Sequence, residues 1–228
     1  MIKQIKLSNS NCYIITNDND ESLLVDTGNN SDQVYLLKEV ANFNIKGIIL
    51  THGHVDQISN AKMISDIFNV PVYISKFDLE LFDNQNARDI YTDGFMNKLK
   101  LNKMIKDNDN MISDKPNNII DIVNGDTFSK LNFDNVKVIS LPGHTRGSIG
   151  VLVNKKDLIV GDTLVNDKDI DVCSFYEEKA SLYNSLEAIK DVLPNKIYPS
   201  VGEPFNYDDY FKMEKIVIGN KKKSKKKK

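Results

Sequence analysis

The run Gly47-Ile48-Ile49-Leu50 is apolar throughout, and it stops abruptly on a polar stretch, Thr51-His52-Gly53-His54-Val55-Asp56-Gln57. A strand with no polar alternation has to be covered on both faces, so it belongs inside a sheet with a layer above it and a layer below. The arrangement recurs twice. Residues 136–141 lead into Pro142-Gly143-His144-Thr145, and residues 158–160 lead into Gly161-Asp162-Thr163. Each apolar strand thus ends on a loop bearing an imidazole or a carboxylate, where side chains from neighbouring strands converge. The chain has three histidines, and all of them fall in these loops. Imidazole nitrogen and carboxylate oxygen are the donors that zinc and its relatives take at about 2.0–2.2 Å, so the pattern points to a metal site.

The flanking segments supply the rest of an α/β chain. Residues 2–7, 11–16 and 22–26 read as strands separated by the turns at Ser8-Asn9-Ser10 and Asn17-Asp18-Asn19-Asp20. Ser31 is placed to cap a helix with apolar positions Val34, Leu37, Val40 and Ala41, and Ile58, Ala61, Ile64, Ile67 and Phe68 form a second helical stripe. Further strands are expected over 70–74, 119–123, 137–141, 148–153, 158–160 and 196–199, and helices over 179–192 and 208–218. Residues 76–118 differ in texture, being rich in Asn, Asp and Lys, and read either as two or three helices outside the sheets and over the site or as a mobile loop.

Length and charge narrow the classes further. A chain of 228 residues with 40% apolar content suits one large core, and its apolar runs of four to six residues are far short of the ~20 that cross a bilayer. The alternating start, Met1 to Leu7, lacks the continuous apolar block of a signal peptide, which predicts a cytoplasmic protein. Cys12 and Cys173 have neither metal-type spacing nor a disulfide framework. The formal charge of −2 hides an asymmetry: seven of the last eight residues are lysine, so residues 1–220 hold 23 basic and 32 acidic side chains. Residues 221–228 are expected to be a disordered, solvated tail. The tail leaves nucleic acid open as a partner, but without interleaved aromatic residues to stack on bases nucleic acid is not the expected one. The domain is drawn as residues 1–220, and the sequence carries no sign of its oligomeric state.

Asp26-Thr27-Gly28, Thr51 to Asp56, Pro142-Gly143-His144-Thr145-Arg146-Gly147-Ser148, Gly161-Asp162-Thr163-Leu164 and Tyr198-Pro199-Ser200-Val201-Gly202-Glu203-Pro204-Phe205 together closely resemble the metallo-β-lactamase superfamily. The best match is to its glyoxalase II-like hydrolases, the hydroxyacylglutathione hydrolases, over residues 2–206. The resemblance implies a four-layer αββα sandwich with the site along one edge of two sheets. It implies that His52, His54 and His144 are the three imidazoles of a first metal site and that Asp162 is the carboxylate reaching both metals. Asp56 corresponds to the second-site aspartate that aims or deprotonates the attacking water, and Asp26 to the outer carboxylate that steadies the histidine loop.

The family pattern then breaks at two positions. Gln57 stands where the family has a histidine after Asp56, and Val201 stands at the histidine of the closing Pro-Gly-His-Gly. A carboxamide oxygen is a poor zinc donor and valine is none, so a one-metal site is expected, zinc first and iron as the other option. Glu203 is near enough in sequence to be weighed as a replacement ligand. The function that follows is hydrolysis of a small ester-type molecule, thioester before lactone, with water acidified at the single metal and Asp56 freed to act as base. The lost ligands also motivate a second reading, a non-catalytic binding member of the family. A third, a mononuclear iron enzyme resembling persulfide dioxygenases, goes with a single metal in this fold and is not specifically indicated by Gln57 or Val201. Substrate contacts are expected from 76–118 and 165–176. Tyr176 and Tyr198 are candidate oxyanion donors, and Arg146 is a candidate for holding an anionic group or for a surface ion pair.

Overall fold

Two six-stranded sheets lie face to face, and helices on their outer faces complete the cover that the uninterrupted apolar runs demand. The computed structural model describes residues 1–108 and 111–210. In chain order the first sheet is built from β1 (Ile2–Lys6), β2 (Asn11–Thr16) and β3 (Glu21–Val25), then α1 (Gln33–Val40) and β4 (Asn44–Ile49), then α2 (Val55–Ile58), α3 (Ala61–Phe68) and β5 (Val72–Ile74). A small strand β6 (Tyr91–Thr92) and helix α4 (Phe95–Asn108) precede its last strand, β7 (Ile119–Asp121). The second sheet takes β8 (Thr127–Phe128), β9 (Phe133–Ser140), β10 (Ile149–Val153) and β11 (Asp157–Gly161). Three short strands follow, β12 (Leu164–Asn166), β13 (Ile170–Val172) and β14 (Phe175–Tyr176), and then α5 (Lys179–Val192), β15 (Lys196–Pro199) and β16 (Phe205–Asn206). The strand orders are β1-β2-β3-β4-β5-β7 and β16-β15-β11-β10-β9-β8.

Period-two alternation explains the layers. Tyr13, Ile15, Leu23, Val25 and Ile49 face inward and pack against Val136, Val138, Ile149, Val151, Val153 and Ile159 of the second sheet. Their neighbours Ile14, Leu24 and Ile48 face the other way, onto Leu36 and Val40 of α1 and Ala61 and Ile64 of α3. Leu152, Leu158, Val160 and Ile197 do the same beneath Leu186 and Ile189 of α5. This is a four-layer αββα sandwich. Each such side chain buried in full stabilises the fold by about 1.5–3 kcal/mol.

Three stripe positions, Val34, Ala41 and Ile67, differ from the expectation and are exposed. Val34 is 81% exposed, because α1 turns Leu36, Leu37 and Val40 to the sheet, and Ile67 is 53% exposed on the solvent side of α3. Residues 76–118 are neither wholly helical nor wholly loop: a 3-10 segment, Lys76–Phe82, is followed by β6 and α4. Of the closing helix only residues 207–210 are described, and they are helical; the lysine tail lies outside the described residues. No helix among the described residues is long and apolar enough to cross a membrane.

Chain direction gathers the polar loops. β3 and β4 are parallel, so the residues after them, Asp26 and Thr51–His52, emerge at one end of the first sheet. β11 and β15 are parallel, and β9 shares their direction through two antiparallel pairings, so His144, Asp162 and Val201 emerge together from the second. The two ends are tied by hydrogen bonds from the Ile149 N–H to the Thr51 carbonyl at 2.8 Å and from the Asn11 N–H to the Ser200 carbonyl at 2.7 Å. Where they meet, Gly161 adopts φ +56, and a Cβ there would come within 2.9 Å of Thr51 Oγ1. Only glycine serves both the left-handed turn and the close approach.

Candidate metal centre

The three imidazoles stand edge to face around a common point, with ring centroids 4.7–4.9 Å apart. One ligand atom of each lies within 4.8 Å of the others. Their hydrogen bonds fix which nitrogen is free. His144 Nδ1 bonds the Phe175 carbonyl at 2.9 Å, so it carries the proton and leaves the Nε2 lone pair facing inward. His52 Nδ1 lies 3.1 Å from Thr51 Oγ1, whose hydroxyl donates to Asp26 at 2.8 Å, so His52 Nδ1 is the protonated nitrogen. Its Nε2 is buried with no hydrogen-bond partner among the described residues. His54 Nδ1 and His144 Nε2 approach to 2.9 Å.

This donor set fits a cation. A buried ring nitrogen without a partner is costly, and inward-facing lone pairs repel each other unless a positive charge sits between them. Burial pushes His52 and His54 well below the ordinary imidazole range, with the adjoining His144 adding to the effect, so both rings are neutral and able to donate to a metal.

Carboxylates flank the imidazoles. Asp162 Oδ2 is 3.6 Å from His144 Nε2, and its Oδ1 has no hydrogen-bond partner among the described residues. Asp56, in the first turn of α2, is half-buried on the cavity floor and faces Asp162. Both effects, burial first, raise its carboxyl to about 7. Asp26 is fully buried at φ +62 and accepts from the Thr51 N–H at 2.8 Å and from its hydroxyl. Burial pushes Asp26 well above the usual carboxylate range, and the Thr51 hydrogen bonds pull against that.

Three loops of this chemistry at one edge of an αββα sandwich invite comparison with known proteins. The sequence model of the metallo-beta-lactamase superfamily matches residues 5–201. The chain belongs to the metallo-β-lactamase superfamily. It is 27% identical over 161 residues to the hydroxyacylglutathione hydrolase GloC of Haemophilus influenzae, a match covering 68% of this chain and 66% of that one. The chain thus spans about two thirds of that relative's length. It is 29% identical over 202 residues to a Methanocaldococcus jannaschii protein named "Probable metallo-hydrolase MJ0888", with 85% of this chain and 88% of the other covered. Among solved structures, TTHA1623 in a di-iron-bound form superposes with a TM-score of 0.65 at 17% identity, covering 90% of this chain and 94% of that one. At that identity the likeness speaks for the fold.

Gln57 and Val201 stand at the two positions where the resemblance expects further imidazoles. Gln57 is fully buried, and neither its side-chain oxygen nor its nitrogen has a partner among the described residues. Val201 lines the cavity over the histidines. Glu203 points away and forms an exposed ion pair with Lys6. The cavity, about 600 Å³, is floored by His54, Asp56, His144 and Asp162 and walled by Met104, Met111, Val165, Phe175 and Val201, with Lys100 and Lys103 of α4 at its lip. Cys173 lines it too, its thiol bonded to the Phe175 carbonyl at 3.2 Å and pushed up by burial.

Arg146, Tyr176 and Tyr198 lie away from that cavity. The Arg146 side chain is 66% exposed and 3.9 Å from Glu177, and it borders separate surface hollows. The Tyr176 hydroxyl donates to Asp93 at 3.2 Å on the outer side of β14. Tyr198 donates to Asp157 at 3.3 Å.

Two side chains that hold the histidine loop were not visible in the sequence. Gln85 accepts from the Val55 N–H at 2.9 Å and donates to the Gly53 carbonyl at 3.0 Å. Asp78, fully buried, reaches Gly53 and the His144 loop. Both come from a segment that read only as polar, and no motif spacing links them to the histidines.

Proposed function

We propose that the chain is a metal-dependent hydrolase of a small ester-type substrate, thioester first and lactone second. It would work with one divalent ion on His52, His54 and His144 and with Asp162 beside it. The observation that carries this is the buried, unpartnered Nε2 of His52 facing the inward nitrogens of the other two imidazoles. Zinc is the first candidate and iron the second, since neutral imidazole suits both. When bound, the ion supplies Lewis acidity and acidifies water near neutral pH.

The remaining steps fall to the chain's own residues. Asp56 opens on the cavity floor beside Asp162 and is placed to accept the proton of the attacking water and aim its oxygen at the acyl carbon. As the carbon–oxygen bond forms and the carbon–sulfur bond breaks, the sulfur leaves as a thiolate and takes up that proton. A thiolate is a good leaving group and needs no second cation to stabilise it, which suits a site with Gln57 and Val201 in place of imidazoles. The apolar wall from Met104 to Phe175 suits an acyl or thiol arm, and Lys100 and Lys103 suit an anionic distal group. The name of the Haemophilus relative points the same way, to acyl-glutathione thioesters.

The test is turnover of zinc-loaded protein on a hydroxyacylglutathione thioester, a lactone and a phosphodiester, each beside His54→Ala. Thioester hydrolysis well above the His54→Ala background supports the reading. Metal retention without turnover of any of the three would instead make the chain a binding member of the superfamily.

A further inference from the structure

Asp78 sits on the 3-10 segment Lys76–Phe82, with no part of its side chain exposed, beneath the two loops that carry the histidines. Its Oδ2 accepts from the Gly53 N–H at 2.9 Å and from Thr145 Oγ1 at 2.6 Å. Its Oδ1 accepts from the Gly147 N–H at 3.0 Å and from Arg88 Nη2 at 2.8 Å. Gly53 lies between His52 and His54, and Thr145 follows His144. One carboxylate therefore joins the loop leaving the first sheet to the loop leaving the second. All four of its lone-pair positions are taken, so nothing remains with which to bind a metal or a substrate.

The surroundings are shaped to this group. A Cβ on Gly147 would lie 2.5 Å from Asp78 Cγ, and one on Gly53 would lie 2.8 Å from the Asp78 carbonyl oxygen. The charge is balanced by Arg88, which also pairs with Glu177 at 2.8 Å. Glu177 in turn accepts from the Arg146 N–H at 2.9 Å, and its own N–H donates to the His144 carbonyl at 3.1 Å. The chain Asp78–Arg88–Glu177 thus closes back on the His144 loop from its far side.

We propose that Asp78 is a positioning residue that presets the spacing of His52, His54 and His144, so that the three nitrogens converge before a cation arrives. The inference rests on the three-histidine metal reading above. Hydrogen-bonding partners that orient metal-binding groups change affinity by about 10–100-fold when removed. Asp78→Asn keeps the shape but leaves one oxygen to serve four donors and turns an NH₂ against two of them.

The experiment measures zinc affinity by chelator competition and the ligand-field spectrum of the cobalt-loaded protein. It compares the full chain with Asp78→Asn, Thr145→Val and Ile64→Val. Ile64 lies in the outer core against the first sheet and serves as a control for lost stability alone. The expected result is zinc binding about 10–100-fold weaker in Asp78→Asn, severalfold weaker in Thr145→Val, and unchanged in Ile64→Val. The cobalt spectrum should be altered only in the first two. If Asp78→Asn fails to give a cooperative melt without metal, Thr145→Val decides alone. Wild-type affinity and spectrum in Asp78→Asn, or in Thr145→Val where it decides, overturn the proposal while leaving the metal reading intact. An equal loss in Ile64→Val also overturns it. Wild-type protein that takes up neither zinc nor cobalt overturns both.

Discussion

Thr51→Val removes one buried hydroxyl and adds a methyl of nearly the same size, at the point where Asp26 is linked to His52. The hydroxyl lies 2.8 and 3.0 Å from the two Asp26 oxygens and 3.1 Å from His52 Nδ1, and Thr51 is fully buried. Without it, Asp26 keeps only the Thr51 N–H among the described residues, and the His52 Nδ1 proton loses its acceptor. Two buried polar atoms left unpaired cost about 1–3 kcal/mol each, so the variant should lose roughly 2–6 kcal/mol of stability. At about 2–4 °C per kcal/mol for a chain of this size, that is a fall of roughly 4–24 °C in the melting midpoint. Zinc affinity should fall about 10–100-fold as His52 loses its fixed tautomer, and Thr51→Ser should restore most of it. The assays are thermal unfolding of metal-free protein and chelator competition. A Thr51→Val variant with the wild-type midpoint and wild-type zinc affinity would falsify the linkage from Asp26 through Thr51 to His52.

Lys100→Glu with Lys103→Glu should raise KM for an anionic thioester severalfold with little change in kcat, because both lysines stand at the cavity lip and neither reaches the histidines; steady-state kinetics at two ionic strengths checks this. Arg146→Ala and Tyr176→Phe should each leave kcat/KM within about twofold, since both side chains lie outside the main cavity. Gly161→Ala should cost about 1–3 kcal/mol in denaturant unfolding and loosen zinc binding, because a Cβ at φ +56 would press on Thr51 Oγ1.

Unbroken apolar runs made sheets covered by helices legible in the sequence, each run stopping at a polar loop, while the four-layer sandwich came from the resemblance of five motifs to the superfamily. His52, His54, His144 and Asp162 could be picked out because they stand on loops that end apolar strands and include every histidine of the chain. That the strands run so as to send them to one edge is seen in the structure. What the sequence hid was support from a distance. Asp78 and Gln85 reach the histidine loop from a segment whose composition resembles any polar insertion, and only the fold brings Lys76–Phe82 under Gly53. The Phe175 carbonyl that orients His144 is a backbone group and leaves no trace in residue type. Arg146 shows the converse, because two residues of separation from His144 say nothing about which side of the loop a long side chain takes. Val34 and Ile67 fit helical spacing and still face solvent, since a stripe of three or four positions tolerates a rotation of the helix on its sheet.

The central claim is a metal site in which the imidazole half is complete and the other half is lost. Elemental analysis of protein purified without chelator, beside Gln57→His/Val201→His, tests it most directly. The account predicts about one zinc or iron per chain in the wild type, close to two in the double variant, and none in His54→Ala. Two ions in the wild type, or one in both proteins, would contradict it.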